Sequence, residues 1–213
     1  MSDRFDIREY ELLLEAAEEG GYAFRFFDRP PEPGDLFLRH DVDLSLDAAL
    51  AMARLEAEMD VRATYFLMTR SVFYNLASRE GDAAVEELRS LGHAVAHHAV
   101  HPHVDLDGRF DAVVAWHNPD AGYMRAPVEG AVNVMAAPWF DPAHYRSDSN
   151  QHWRSGSPLR DLRRRQPSWL QLLIHPEIWV YPGETMRETM LAFLEADREA
   201  RLTHLANDRI DLS

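Results

Sequence analysis

Along this chain, short apolar runs repeatedly stop at ionisable residues, and helical stretches lie between them. Leu36-Phe37-Leu38 runs through Arg39-His40 into Asp41-Val42-Asp43, and Ser45 then stands as an N-cap before an Ala, Leu and Glu-rich stretch. The pattern predicts strands over 36–41, 62–68, 93–98, 110–116 and 169–174. Helices are predicted over 46–59, 80–91, 158–165 and 184–201. A first helix over 6–19 ends at Gly20-Gly21, a short strand follows over 22–27, and Pro30 to Gly34 forms a loop. The segment 120–157 reads as irregular, with one strand over 131–136.

Strands alternating with helices imply parallel βα units. These strands are apolar throughout rather than half polar, as required when both faces are covered. The 213 residues are too few for eight full units, so a distorted, incomplete TIM-like barrel in one domain spanning 1–213 is the expectation. A doubly wound open sheet is the alternative, although no Gly-x-Gly-x-x-Gly turn follows the first main strand. Four strand ends carry Asp41 with Asp43, His97 with His98, His117, and His175. In a barrel such ends meet at one mouth. Residues i and i+2 of a strand share a face, so Asp41 and Asp43 project together, whereas only one of His97 and His98 can look inward.

Composition narrows the chemistry. There are no cysteines, so thiolate metal sites, disulfides and cysteine nucleophiles are excluded. All 22 basic residues are arginine, which excludes a P-loop, a Schiff-base enzyme and a pyridoxal-phosphate enzyme. The net charge of −14 disfavours nucleic acid as a partner. No apolar run approaches the roughly 20 residues of a membrane span, and the polar start of the chain shows no signal peptide, so a cytoplasmic location is expected. Five histidines fall between Gly92 and His103, and imidazole with carboxylate suits zinc and similar divalent ions.

Asp41-x-Asp43, Ala63-Thr64-Tyr65-Phe66-Leu67, Gly92-His93 through His98, and Leu173-Ile174-His175-Pro176 together resemble the polysaccharide deacetylase superfamily (carbohydrate esterase family 4, NodB homology). The likeness is strongest to its predicted cytoplasmic branch, whose members begin Arg-His-Asp-Val-Asp. Ser147-Asp148-Ser149 with Trp153 also resembles that branch.

The resemblance implies a distorted (β/α)7 barrel and a divalent metal, most often zinc. It puts Asp41 at the catalytic-base position, Asp43 and His98 at metal-ligand positions, and His175 at the general acid. It also places Asp148 and Trp153 near the substrate. Arg125-Ala126-Pro127 matches an Arg-x-Pro motif whose arginine would orient Asp41. The usual second histidine position is Pro102 here; His103 is the favoured replacement, with His101 and His117 as alternatives. His117 otherwise counts as a substrate contact.

The implied reaction is metal-assisted hydrolysis of an N-acetyl group from an amino sugar, free or carried on a nucleotide or lipid. A backbone N–H in the 69–72 loop would help hold the oxyanion, and Tyr74, Trp116, Trp139, Trp153 and Trp179 are stacking candidates. A glycosidase fits less well, because its two carboxyls stand ~5 Å or more apart across the scissile bond and it leaves the histidines unexplained. The non-enzymatic alternative is a degenerate barrel that binds a carbohydrate or a partner.

Overall fold

The computed structural model describes residues 4–100, 104, 106–154, 156–207 and 209. It is an α/β protein built on a curled parallel sheet. The strands are β1 (Ala23–Phe24), β2 (Asp35–Val42), β3 (Thr64–Leu67), β4 (Ala94–Ala99), β5 (Val113–Trp116), β6 (Val132–Asn133), β7 (Tyr145–Ser147) and β8 (Leu170–Ile174). Their order is β6-β5-β4-β3-β2-β8-β7, and β1 pairs with the start of β2 below the reach of β3. All pairings between these strands are parallel. Among the described residues β6 and β7 do not pair with each other, so the sheet is a half-barrel with a seam.

The helices are α1 (Ile7–Glu19), α2 (Leu46–Glu58), α3 (Arg79–Ser90), α4 (Leu159–Arg163), α5 (Pro176–Val180) and α6 (Met186–Asn207). Each of the first three starts at a side chain that accepts an otherwise orphaned N–H. Asp6 caps Glu9, Ser45 caps Ala48 and Ser78 caps Gly81. At Gly20 a Cβ would lie 2.0 Å from the Leu162 carbonyl oxygen, so the end of α1 can meet α4 only without a side chain there.

An incomplete TIM-like barrel is therefore the architecture, but seven regular βα units are not. Among the described residues no α-helix follows β4, β5 or β6. Expected strand 131–136 shrinks to two residues, β7 emerges from the segment expected to be irregular, and α5 follows His175 directly.

The two faces of the sheet carry separate cores. On the outer face, Leu36, Leu38, Val42, Tyr65, Leu67, Leu172 and Ile174 pack against the helices. On the inner face the barrel is filled in tiers. Phe27, Phe37 and Trp139 form an aromatic plug, with Phe37 and Trp139 edge to face at 5.3 Å. Above it lies Arg39, the largest fully buried side chain, its guanidinium 5.4 Å over the Phe66 ring. The uppermost tier is ionisable.

Candidate metal and acid–base site

Asp41 and Asp43 do project to one side, and Arg39 joins them by the same alternation. Arg39 donates from Nε to Asp41 Oδ1 (2.7 Å) and from Nη2 to Asp41 Oδ2 (2.6 Å), a bidentate fork. Its Nη1 donates to Gln171 Oε1 (3.2 Å), whose amide in turn donates to the Val134 and Trp139 carbonyls. Burial pushes the Asp41 pKa up, but the Arg39 charge and hydrogen bonds together with the His98 and His175 charges hold the carboxylate below its ordinary range. Arg125 was expected in this role. It lies instead over the Phe140 ring at 5.4 Å, and Arg39, two residues back on the same strand, takes the place at Asp41.

Asp43 continues the inward face beyond β2. Its Oδ1 lies 2.9 Å from His98 Nε2 and 3.0 Å from His117 Nδ1, and the two imidazole nitrogens are 3.2 Å apart. Asp43, His98 and His117 thus bring one ligand atom each into a space small enough for one metal ion. Asp41 Oδ2 stands behind them, 3.7 Å from His98 Nε2. His103, the favoured third ligand, and its alternative His101 lie outside the described residues, as does Pro102. His117, read chiefly as a substrate contact, is the histidine the structure places in the ligand group.

The donor chemistry fits a divalent ion. His98 Nδ1 faces the Ala115 carbonyl at 3.2 Å. A carbonyl only accepts, so the proton sits on Nδ1 and Nε2 offers a lone pair toward the Asp43 carboxylate. Two lone pairs at 2.9 Å are disfavoured unless a proton or a metal ion lies between them. The neighbouring His117 Nδ1 donates one such proton when the Asn118 amide donates to its Nε2 (3.1 Å), and a metal would displace it. An imidazole whose far nitrogen donates to a backbone carbonyl is the usual support for a metal ligand. Two histidines and a carboxylate also form a common protein set for catalytic zinc. Burial alone would raise the Asp43 pKa, but hydrogen bonding to His117 and His98 drives it far below the carboxylate range.

Two further histidines, His97 and His93, have structural partners. His97 points away from the mouth. Its Nε2 accepts from the Asp107 N–H (2.8 Å), and its Nδ1 donates to the Val113 carbonyl (3.3 Å). His93 accepts from the Ala63 N–H and donates to the Ala53 carbonyl.

His175 closes the other side of the mouth. Its Nδ1 is 2.6 Å from Asp148 Oδ1, while Asp148 Oδ2 accepts from the His175 backbone N–H (2.9 Å) and from Trp179 Nε1 (2.7 Å). Burial opposes charge on this imidazole, yet the Asp148 carboxylate prevails and raises its pKa to about 10. Asp148 is fully buried with its oxygens engaged, so it holds His175 rather than a substrate. Trp153 is 3% exposed and packs on Phe5 and Trp179. Trp116, Trp139 and Trp179 are likewise buried, and Tyr74 donates to the Val42 carbonyl. The expected sugar-stacking aromatics are thus mostly packing residues.

Asp43, His117 and His175 line one cavity of about 540 Å³, together with Ser71, Asn118 and Glu177. Sequence reasoning missed Glu177. It is 2% exposed, and among the described residues its Oε2 has no hydrogen-bond partner. Burial pushes its pKa up to about 8, against the pull of the His175 charge.

Searches against family profiles, characterised proteins and solved structures find no match. The site therefore rests on its own geometry. No helix among the described residues is long and apolar enough to cross a membrane.

Proposed function

We propose that this chain is a metal-dependent hydrolase that removes an acyl group, acetyl in the simplest case, from the nitrogen of an amino sugar. One observation carries the reading: Asp43 and His117 of a two-histidine, one-carboxylate group line the same cavity as His175, whose Nδ1 is engaged by the buried Asp148. Asp43, His98 and His117 would hold the ion, with zinc the first choice for this donor set. A divalent ion there supplies Lewis-acid polarisation of the acyl carbonyl and a more acidic water.

The chain's own residues do the rest. Asp41, aimed by the Arg39 fork, accepts the proton from the attacking water. His175, charged well above neutral pH, donates from Nε2 to the departing amine, because Nδ1 is engaged by Asp148. The 70–72 loop lines the cavity, where its N–H groups can meet the oxyanion. The test is acetate release from N-acetylated amino sugars by zinc-loaded protein. Turnover should vanish together with zinc binding in Asp43→Ala.

A second reading is a barrel that binds an acylated sugar without hydrolysing it. It is favoured by one fact: both Asp41 oxygens are already taken by Arg39, and Asp41 is not on the cavity wall. Zinc-dependent binding of N-acetylglucosamine without acetate release would select it.

A further inference from the structure

A second cavity, of about 400 Å³, opens beside the first, and the two meet at Ser149. Its walls include Arg125, Phe140, Tyr145, Ser147, Trp153 and Arg154. The Arg125 guanidinium stands 5.4 Å from the centre of the Phe140 ring, itself a wall of the cavity, so this solvent-exposed cation is steered toward the lining. Arg146 also borders the cavity but is engaged by Asp161 (3.3 Å) and the Tyr145 carbonyl (3.0 Å). Among the described residues neither Arg125 nor Arg154 has a carboxylate partner, in a chain with 36 acids. Between positions 121 and 165 there are seven arginines and only four acids, although the whole chain carries −14. Ser147 and Ser149, their hydroxyls 2.6 Å apart, stand where the two cavities join, and Asp148 between them holds His175.

We infer that this cavity is an anion subsite that takes the phosphate or diphosphate of a substrate whose acylated amino sugar sits in the first cavity. Unpaired guanidinium groups recognise phosphate oxygens through charge-assisted hydrogen bonds, and serine hydroxyls complete such a cradle. An uncharged polysaccharide would leave both arginines without a partner. The inference rests on the reading of the first cavity as an acyl-amino-sugar site and narrows its substrate class to phosphorylated or diphosphate-linked sugars. The shared chemistry is a sugar-bound diphosphate, whose carrier is a nucleoside or a lipid.

The subsite can be tested without turnover. Asp43→Ala protein, stripped with a chelator, is titrated by calorimetry with pyrophosphate, uridine diphosphate and geranyl diphosphate; the substitution removes phosphate binding by metal. Saturable binding is expected, weakened at least about tenfold in Arg125→Gln/Arg154→Gln and falling as salt rises. Tighter binding of uridine diphosphate than of pyrophosphate identifies a nucleotide carrier, and tighter geranyl diphosphate a lipid one. Should the double variant fail to fold, the exposed Arg154→Gln alone must still lower affinity. No saturable binding of any of the three, or binding indifferent to both arginines, overturns the subsite. Binding that persists while no acetylated sugar is turned over leaves the subsite standing and removes the hydrolase reading. Hydrolysis of uncharged N-acetyl sugars by a protein that ignores diphosphate does the reverse.

Discussion

Strand β2 and the residues around it carry a histidine–carboxylate cluster on each face. On the inner face Asp43 meets His98 and His117, and the Asp43 and His117 side chains keep 17% and 28% of their surface exposed. On the outer face His40 Nε2 is 2.6 Å from Glu56 Oε1, Tyr10 and Tyr65 both donate to Glu56, and His93 Nδ1 is 3.6 Å from it. His40 and Glu56 have no exposed surface at all. The residue types are the same and the distances comparable, but α1 and α2 close over the outer cluster, and a cavity opens on the inner one. Phenols donate to the outer carboxylate, whereas on the inner side one carboxylate oxygen and two imidazole nitrogens converge within 3.2 Å. Access and the number of facing donors, rather than residue type, separate the two clusters.

The sharpest way to break this contrast is Asp41→Asn. If the inner cluster is catalytic, turnover of an N-acetylated amino sugar should fall by about 10²–10⁴-fold with zinc affinity nearly unchanged. Loss of zinc in that variant would make Asp41 a ligand and move the base elsewhere.

Glu56→Ala tests the sealed cluster. It should cost roughly 3–5 kcal/mol in chemical denaturation, the usual penalty for leaving buried partners of a charge unmatched, while zinc affinity in the folded protein stays level. Burial raises the Glu56 pKa, but His40, His93 and the Tyr10 hydroxyl together lower it more, and the net position is below the ordinary value of 4.5. Its stabilisation is therefore full above pH 4.5 and lost as pH falls through the depressed folded pKa. Wild type should lose stability more steeply than Glu56→Ala in that acid range, where Asp41 and Asp43 still contribute in both proteins. A variant as stable as wild type would refute this structural role.

Asp43→Ala should weaken zinc by at least about 100-fold, more than changes around a ligand usually do, with little loss of stability in chelated protein. Equal zinc affinity in calorimetry would remove Asp43 from the site.

A change in pH dependence alone is expected at Glu177, a buried carboxyl on the wall of the inner cavity. Its folded pKa is raised from 4.5 to about 8, so the fold favours its protonated form. That contribution is full below pH 4.5 and is lost as pH rises to about 8. Glu177→Gln in chelated protein should flatten the fall in stability across this window by up to about 1.4 kcal/mol per pH unit. Identical slopes in the two proteins would show that Glu177 is ionised and solvated.

Much of this layout is legible in the sequence. Apolar runs and caps predict β2 to β4 and α1 to α3, because local pattern and burial agree there. The alternation rule separates His97 from His98 and aligns Asp41 with Asp43. Applied two residues earlier, it would also have found Arg39, a signal hidden by the expectation that an arginine further along the chain would serve. β7 has three residues with no periodicity of its own and exists because β8 offers an edge to pair with. Asp148 and Glu177 draw their roles from burial, which no short motif encodes. His117 enters the ligand group because β5 lies next to β4, and strand order is a tertiary fact.

The open seam of the half-barrel also bears on how the molecule behaves among its own copies. A sheet that does not close presents two edges, and an exposed edge can template pairing with another chain. Here those edges are β6, with two residues, and β7, with three. Very short edge strands are among the devices by which proteins escape such templating. The fold thus keeps its mouth open on one side while offering an incoming strand almost no ladder to extend, which favours colloidal stability at high concentration.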